Sequence, residues 1–260
     1  MLSNKNTETN ITSSSSFIIH VDESSEELNE FENESDRKLF IKKTLSIFLS
    51  SIILTFSSCL LFNLNETCKQ FAISNLGQYF YLGAFLGILI TSFPVLCCCP
   101  QLYSKFPYNF IIYILFIICL SYSLSISTVI ISSKILLFSI IITTFNTITV
   151  TSYAVLTNTD FTQYEHIYII AIISFCFCLS FNLFFTNLFL EIFISTFAAI
   201  LFNLFIVYDM QMIVGKKHIR ISFKKNEYIL AAMCLYLDVI NLFLYVIQCL
   251  LLTEELTEET

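Results

Sequence analysis

The chain has 260 residues, 56% of them hydrophobic and 13% charged, with a formal net charge of -7. A soluble domain of this length is ~45–50% apolar and ~25% charged, so that class is excluded. A basic nucleic-acid binder is excluded as well.

In chain order, residues 1–36 form an acidic, Ser- and Asn-rich segment that includes "TSSSSF" and "DESSEELNEFENESD". It is expected to be a disordered cytosolic tail, because it has too little apolar surface to build a core. No apolar stretch of signal-peptide type follows the start, which leaves the first spanning helix to act as the insertion signal. The charges then thin out, and apolar runs of ~20 residues appear, each long enough to cross a ~30 Å hydrocarbon core as a helix. Seven spans are expected, at 44–63, 79–99, 109–131, 135–157, 166–187, 190–213 and 228–252. The fold class is therefore all-α, a polytopic seven-transmembrane-helix bundle over 37–252, with a short acidic tail at 253–260.

Orientation follows from the basic residues. With the N-terminus in the cytosol, 11 of the 13 Lys and Arg residues are cytosolic, and only Lys69 and Lys134 are not. That bias obeys the positive-inside rule. The sequon Asn65-Glu66-Thr67 then falls in a lumenal loop. Seven spans also put the acidic C-terminal tail in the lumen. Gly83 and Gly87 make a G-x-x-x-G on the second span, a spacing that admits a close helix neighbour and that is read as packing within the chain.

The ten cysteines do not read as a disulfide framework, since six of them (Cys59, Cys119, Cys176, Cys178, Cys234 and Cys249) fall inside apolar runs. Cys97-Cys98-Cys99 sits at a helix end, either palmitoylated or simply small residues at a membrane border. His20, His166 and His218 lie in no ligand cluster. Neither a catalytic group nor a cofactor is expected. Thr143, Thr144, Asn146, Thr147, Thr149, Thr151 and Ser152 on the fourth span either line a path or bond neighbouring helices. The serines at 121, 123, 125 and 127 occupy no one face of the third span and are read as packing.

The informative residues are two acids inside spans. An unpaired carboxylate in hydrocarbon is costly, so a functional use is the default reading. Asp209 interrupts "ILFNLFIVYDMQMIV", and Asp238 interrupts "LYLDVINLF". Stepping along the last span by three and four gives Glu227, Ala231, Cys234, Asp238, Asn241, Tyr245 and Gln248, a polar or small seam on one face. Such a helix belongs inside a bundle or against a watery cavity. The matching face of the sixth span carries Glu191, Ser195, Ala198, Phe202, Ile206 and Asp209. If the two Asp meet, they cannot both ionise easily, and one proton is shared between them. Once ionised they offer hard oxygen ligands that suit a passing Ca²⁺. Asp209 lies ~9 Å from its helix end and Asp238 ~20 Å from its own. They meet only if the intervening loop dips inward or the last helix begins late. The structural alternative is that each Asp bonds only a backbone carbonyl or a Tyr.

The stretches "YDMQMIVGKKHIRIS" (208–222) and "NEYILAAMCLYLDVINLFLYVIQ" (226–248) resemble the C-terminal signature of the Bax inhibitor-1 superfamily, lifeguard branch. "RKLFIKKTLSIFL" (37–49), "KFPYNFI" (105–111) and "TNTDFT" (157–162) resemble that branch's R-x-F-I-R-K, F-P-W-N and K-x-D-F-T, in the same order. Met210 stands where the branch has Thr, and Lys225-Asn226 where it has Pro-Glu. The resemblance implies a seven-helix fold with a central last helix, residence in Golgi and endoplasmic reticulum membranes, and a pH-sensitive Ca²⁺ leak linked to suppression of cell death. It implies gating and transient ion binding at Asp209 and Asp238, and no enzymatic activity. Glu191 and Asn241 are candidate points on the ion path. Expected partners are membrane lipid, Ca²⁺ and cell-death regulatory membrane proteins, with the chain a monomer. Two other readings share the features: a non-conducting scaffold for cell-death proteins, and an intramembrane aspartyl protease. The protease reading lacks the G-x-G that should precede its second Asp.

Overall fold

In the lipid interior a backbone must satisfy its own polar groups, so apolar runs of this length can only be helices. The structure, a computed structural model, describes residues 34–93, 107–182, 187–215 and 222–259. Within these residues helices joined by short connections make up the chain. α1 spans Glu34–Leu64, α2 Glu66–Ile73, α3 Asn75–Phe93, α4 Tyr108–Thr128, α5 Ser133–Leu156, α6 Glu165–Asn182, α7 Leu188–Val214 and α8 Tyr228–Glu259. Short 3-10 turns, Phe161–Tyr164 and Lys225–Glu227, lead into α6 and α8.

The helix ends are set by the residues that the sequence supplies. Asn65 starts α2 by accepting from the Thr67 and Cys68 amides, and Asn187 starts α7 by accepting from Phe189. These side chains satisfy amide groups that a first helical turn leaves unpaired. Gly215 ends α7 in the left-handed conformation, φ 55°, with its amide bonded to the Gln211 carbonyl.

Among the described residues, five helices (α1, α4, α5, α7 and α8) are long and apolar enough to cross a membrane. The count is six if α2 and α3, bent by 75° at Ser74, make one broken span. These six fall on six of the seven expected segments. The remaining one, expected at 166–187, holds α6, whose apolar part His166–Ser180 is shorter than a full crossing. Large apolar side chains such as Ile53, Phe145, Ile170 and Phe189 stand exposed on helix surfaces, as lipid-facing residues do. The chain is a polytopic helical membrane protein. Of the expected tails, 1–36 lies outside the described residues except for Glu34–Asp36, which form the first turn of α1. At the other end α8 runs on through the acidic segment to Glu259.

α8 packs against α1, α4, α5 and α7, with its most extensive contact on α7. It contributes Ile229, Ala231, Ala232, Leu235, Tyr236, Leu242 and Phe243, all without exposed surface. α1 and α4 are joined by small hydroxyl residues. Ser51 bonds Tyr113, Thr55 bonds Ser121 and Ser58 bonds Ser125, each at 2.8 Å. Thr55 also bonds the Tyr236 hydroxyl at 2.8 Å, which extends the network to α8. Of the α4 serines, Ser121 and Ser125 bond across the interface and Ser123 is buried, whereas Ser127 is exposed and bonds back onto its own helix. α5 and α7 are linked by Asn146 donating to Asn203 at 3.0 Å. In the glycine pair, a Cβ at Gly87 would lie 2.7 Å from Cys119 Sγ on α4, whereas Gly83 faces open space. One of the two glycines therefore makes the close approach.

Candidate functional site

Asp209 sits six residues before the glycine that ends α7, on the face carrying Ser195, Ala198 and Ile206, all without exposed surface. Asp238 sits in the first half of α8. Their carboxyl groups lie close enough to act on each other. Asp209 is buried and Asp238 half-buried. An ionised carboxylate only accepts, so a bond between two carboxyls requires a proton on one of them. Two carboxyls this near each other can share one proton.

The pair forms because the chain between the helices folds back. The Phe223 amide donates to the Met212 carbonyl at 3.4 Å, which lays the stretch leading into α8 alongside the last turn of α7. α8 begins only at Tyr228, after a 3-10 turn. Ile206 and Met210 on α7, with Leu235, Val239 and Leu242 on α8, are all buried around the acids. Cys234, one turn before Asp238, lies within electrostatic reach of both. Below the acids the seam turns aromatic: Tyr245 stacks on Phe202 at 5.7 Å and meets Phe175 edge-on at 5.8 Å. An apolar groove of about 270 Å³ opens between α1 and α5 and ends on Met210 and Val239, each next to one of the acids.

The other expected site residues lie apart. Glu191 is in the first turn of α7, about 27 Å along the helix from Asp209. Asn241 is one turn from Asp238 and donates to the Leu237 carbonyl at 2.8 Å. Of the α5 hydroxyls, Thr149, Thr151 and Ser152 bond back onto their own helix. Thr143 and Thr147 are buried without a hydrogen-bond partner. Cys97–Cys99 and His218 lie outside the described residues. Among the described residues no group of three or more His, Cys, Asp or Glu gathers as a metal site, so any cation at the pair would take its further ligands from neutral oxygens and water.

Two residues that matter were not singled out from the sequence. Gln211, with 2% exposure, donates to the Thr159 carbonyl and accepts from the Phe161 amide, both at 2.8 Å. It pins the α5–α6 connection to α7 two residues beyond Asp209. Arg37 on α1 reaches the carbonyls that end α7. The signal for Gln211 was its place in "YDMQ", a second polar residue in an otherwise apolar turn.

Comparison with known proteins places this arrangement. Residues 37–255 match the family described as "Inhibitor of apoptosis-promoting Bax1". The chain belongs to this family. Among its curated relatives is protein lifeguard 3 of Homo sapiens, 26% identical over 223 residues, covering 84% of this chain and 70% of the relative. The Mus musculus protein of the same name is 25% identical, covering 84% and 71%. Protein LIFEGUARD 3 of Arabidopsis thaliana is 28% identical over 224 residues, covering 84% and 86%. Within the Bax inhibitor superfamily, the chain falls in the lifeguard branch. The matched region takes in the aspartate pair and all eight helices apart from the first three residues of α1 and the last four of α8, and leaves out the N-terminal acidic segment.

Proposed function

We propose that the chain is a pH-sensitive Ca²⁺ leak channel of intracellular membranes, Golgi and endoplasmic reticulum, that modulates Ca²⁺ stores and through them cell death. The observation that carries this reading is the meeting of Asp209 and Asp238 between the last two helices. While one proton is shared, the helices are tied together at this level and the path is closed. As the pH rises the proton leaves, and two adjacent carboxylates repel. The tie becomes a repulsion, and the freed oxygens present charge to Ca²⁺. The path is thus closed in acid and open in base. Glu191, at the far end of α7, attracts the cation from the lumen. Asn241, its amide nitrogen engaged with Leu237, turns its oxygen toward the ion.

This reading takes α6 as a seventh crossing and α8 as the central helix of the bundle. The packing of α8 against four neighbours supports the second point. The N-terminus is cytosolic, supported by the lysine and arginine distribution, and no cofactor takes part. The family's printed description supports a role in cell-death regulation. A non-conducting regulator of cell-death proteins is the second reading, since that description names no transport.

Ca²⁺ release from liposomes containing the purified chain separates the two. At about pH 8, release well above that of empty liposomes is expected. Release equal to empty liposomes, with folded protein confirmed, would leave the non-conducting regulator as the correct account.

A further inference from the structure

The carbonyls that end a helix have no intrahelical partner and carry the negative end of its dipole. At the end of α7 a cation from another helix meets them. Arg37, in the first turn of α1, donates from Nη2 to the Met212 carbonyl at 2.8 Å and from Nε to the Val214 carbonyl at 3.1 Å. Its Nη1 reaches the Phe223 carbonyl at 3.4 Å. Two of these acceptors belong to α7, and the third lies on the stretch that runs into α8. One guanidinium therefore holds both helices that carry the acids. Its rigid fork of five donors suits this task, and a lysine ammonium, a point charge on a flexible stem, does not.

The surroundings reinforce the arrangement. The Arg37 guanidinium sits 5.5 Å over the Phe40 ring. Gly215 leaves room for it, since a Cβ there would collide with the guanidinium. Two more contacts tie the start of α1 to the run-in of α8: Asp36 pairs with Lys225 at 2.8 Å, and Lys43 lies 5.6 Å over the Tyr228 ring. The Phe223–Met212 backbone bond lies within the same cluster.

We propose that Arg37 is a positioning residue for the Asp209–Asp238 pair, a clamp from the first helix that holds the end of α7 and the run-in of α8 together so that the two carboxyls stay in register. Asp209 is three residues from Met212, less than one helical turn. Parting α7 from α8 at this end requires the guanidinium to release one side. The clamp and the carboxyl bond act in parallel across the same pair of helices, and weakening either favours the parted state. The clamp also makes the start of α1, where the acidic N-terminal segment joins the bundle, a mechanical input to the gate. This inference rests on the leak reading for its consequence, though not for its geometry.

The test uses the full chain in liposomes and in lipid nanodiscs, as wild type, Arg37→Gln and Arg37→Lys. The first readout is Ca²⁺ release across a pH series. Among the described residues, the charged and titratable groups near the clamp and the pair are Asp36 and Lys43 from α1, Lys225 and Glu227 from the 3-10 turn, and Tyr228 and Cys234 from α8, all common to the three proteins. Arg37→Gln is expected to begin releasing Ca²⁺ at a lower pH than wild type. A displacement of about half a pH unit corresponds to a roughly threefold change in the closed-to-open ratio. Arg37→Lys should fall between the two and serves alone if Arg37→Gln does not fold.

The second readout is amide hydrogen exchange. Faster exchange confined to 210–215 and 222–230, with α4 unchanged, is expected whether or not the protein conducts. Exchange that speeds evenly over all helices, or a release curve that overlays wild type while the variant is folded, would overturn the clamp. If wild type releases no Ca²⁺, the leak reading fails by itself, and the exchange pattern then decides the clamp.

Discussion

Gly215 carries two requirements at once. Its φ of 55° is the left-handed conformation that ends α7, and its bare Cα leaves space for Arg37. An alanine there takes on the left-handed cost of roughly 1–2 kcal/mol and crowds the guanidinium as well. Gly215→Ala is therefore expected to lower thermal stability in detergent by at least that amount, and an unchanged melting temperature would contradict this. Gln211 poses a different problem. A Gln211→Leu substitution leaves the Phe161 amide and the Thr159 carbonyl without the partner they have now. Each buried unpaired group costs ~1–3 kcal/mol. Thr159 is exposed and Phe161 half-buried, so water replaces part of what is lost, and the expected loss is about 1–3 kcal/mol, read by thermal unfolding, with faster exchange at residues 159–161. At this scale the acids were legible because a carboxylate in an apolar run has few innocent explanations. Arg37 was not, because a basic residue at the cytosolic mouth of a first span is what topology alone predicts. The carbonyls it binds come from a helix about 175 residues away.

Among the helices, legibility followed periodicity. The seam on α8 is spaced three and four apart, so it could be assigned a face and an interior place before any contact was known. The α4 serines ran at intervals of two, which conceals their grouping. Ser121 and Ser125 share one face, and Ser123 and Ser127 the nearly opposite one. The first pair bonds α1. The hydroxyl network through Thr55 then reaches Tyr236 on α8, which sequence spacing cannot indicate. Removing that hydroxyl with Tyr236→Phe should cost about 0.6 kcal/mol, and no more than ~1.7, the measured range for polar bonds between membrane helices. Unfolding in mixed micelles would check it. A loss well beyond that range would mean that the network holds α8 in place as a unit rather than bond by bond.

For the whole molecule, the charges and the helix ends carry different information. The lysine and arginine count proposes the N-terminus in the cytosol. An N-terminal epitope tag should then be digested by protease added outside sealed microsomes, and protection of the tag would reverse the orientation. The membrane-crossing count was harder to read. α2 lies in the stretch expected to be a loop before the second span and is bent by 75° against α3, and among the described residues the apolar part of α6, His166–Ser180, is shorter than a full crossing. Composition marks apolar stretches well and says little about how a helix bends between them. The meeting of Asp209 and Asp238 depended on a loop geometry that residue counting left open, and the Phe223–Met212 bond supplies it.

The most direct measurement is the pH dependence of Ca²⁺ release, from about pH 5.5 to about pH 8, for wild type beside Asp209→Asn and Asp238→Asn. An asparagine amide can donate to the remaining carboxylate without a titratable proton, so each variant keeps the tie and loses the means to break it. The account predicts release that rises with pH in wild type and stays low and flat in both variants. Variants that retain the wild-type rise would show that the shared proton does not close the path, and would remove the pair from the mechanism.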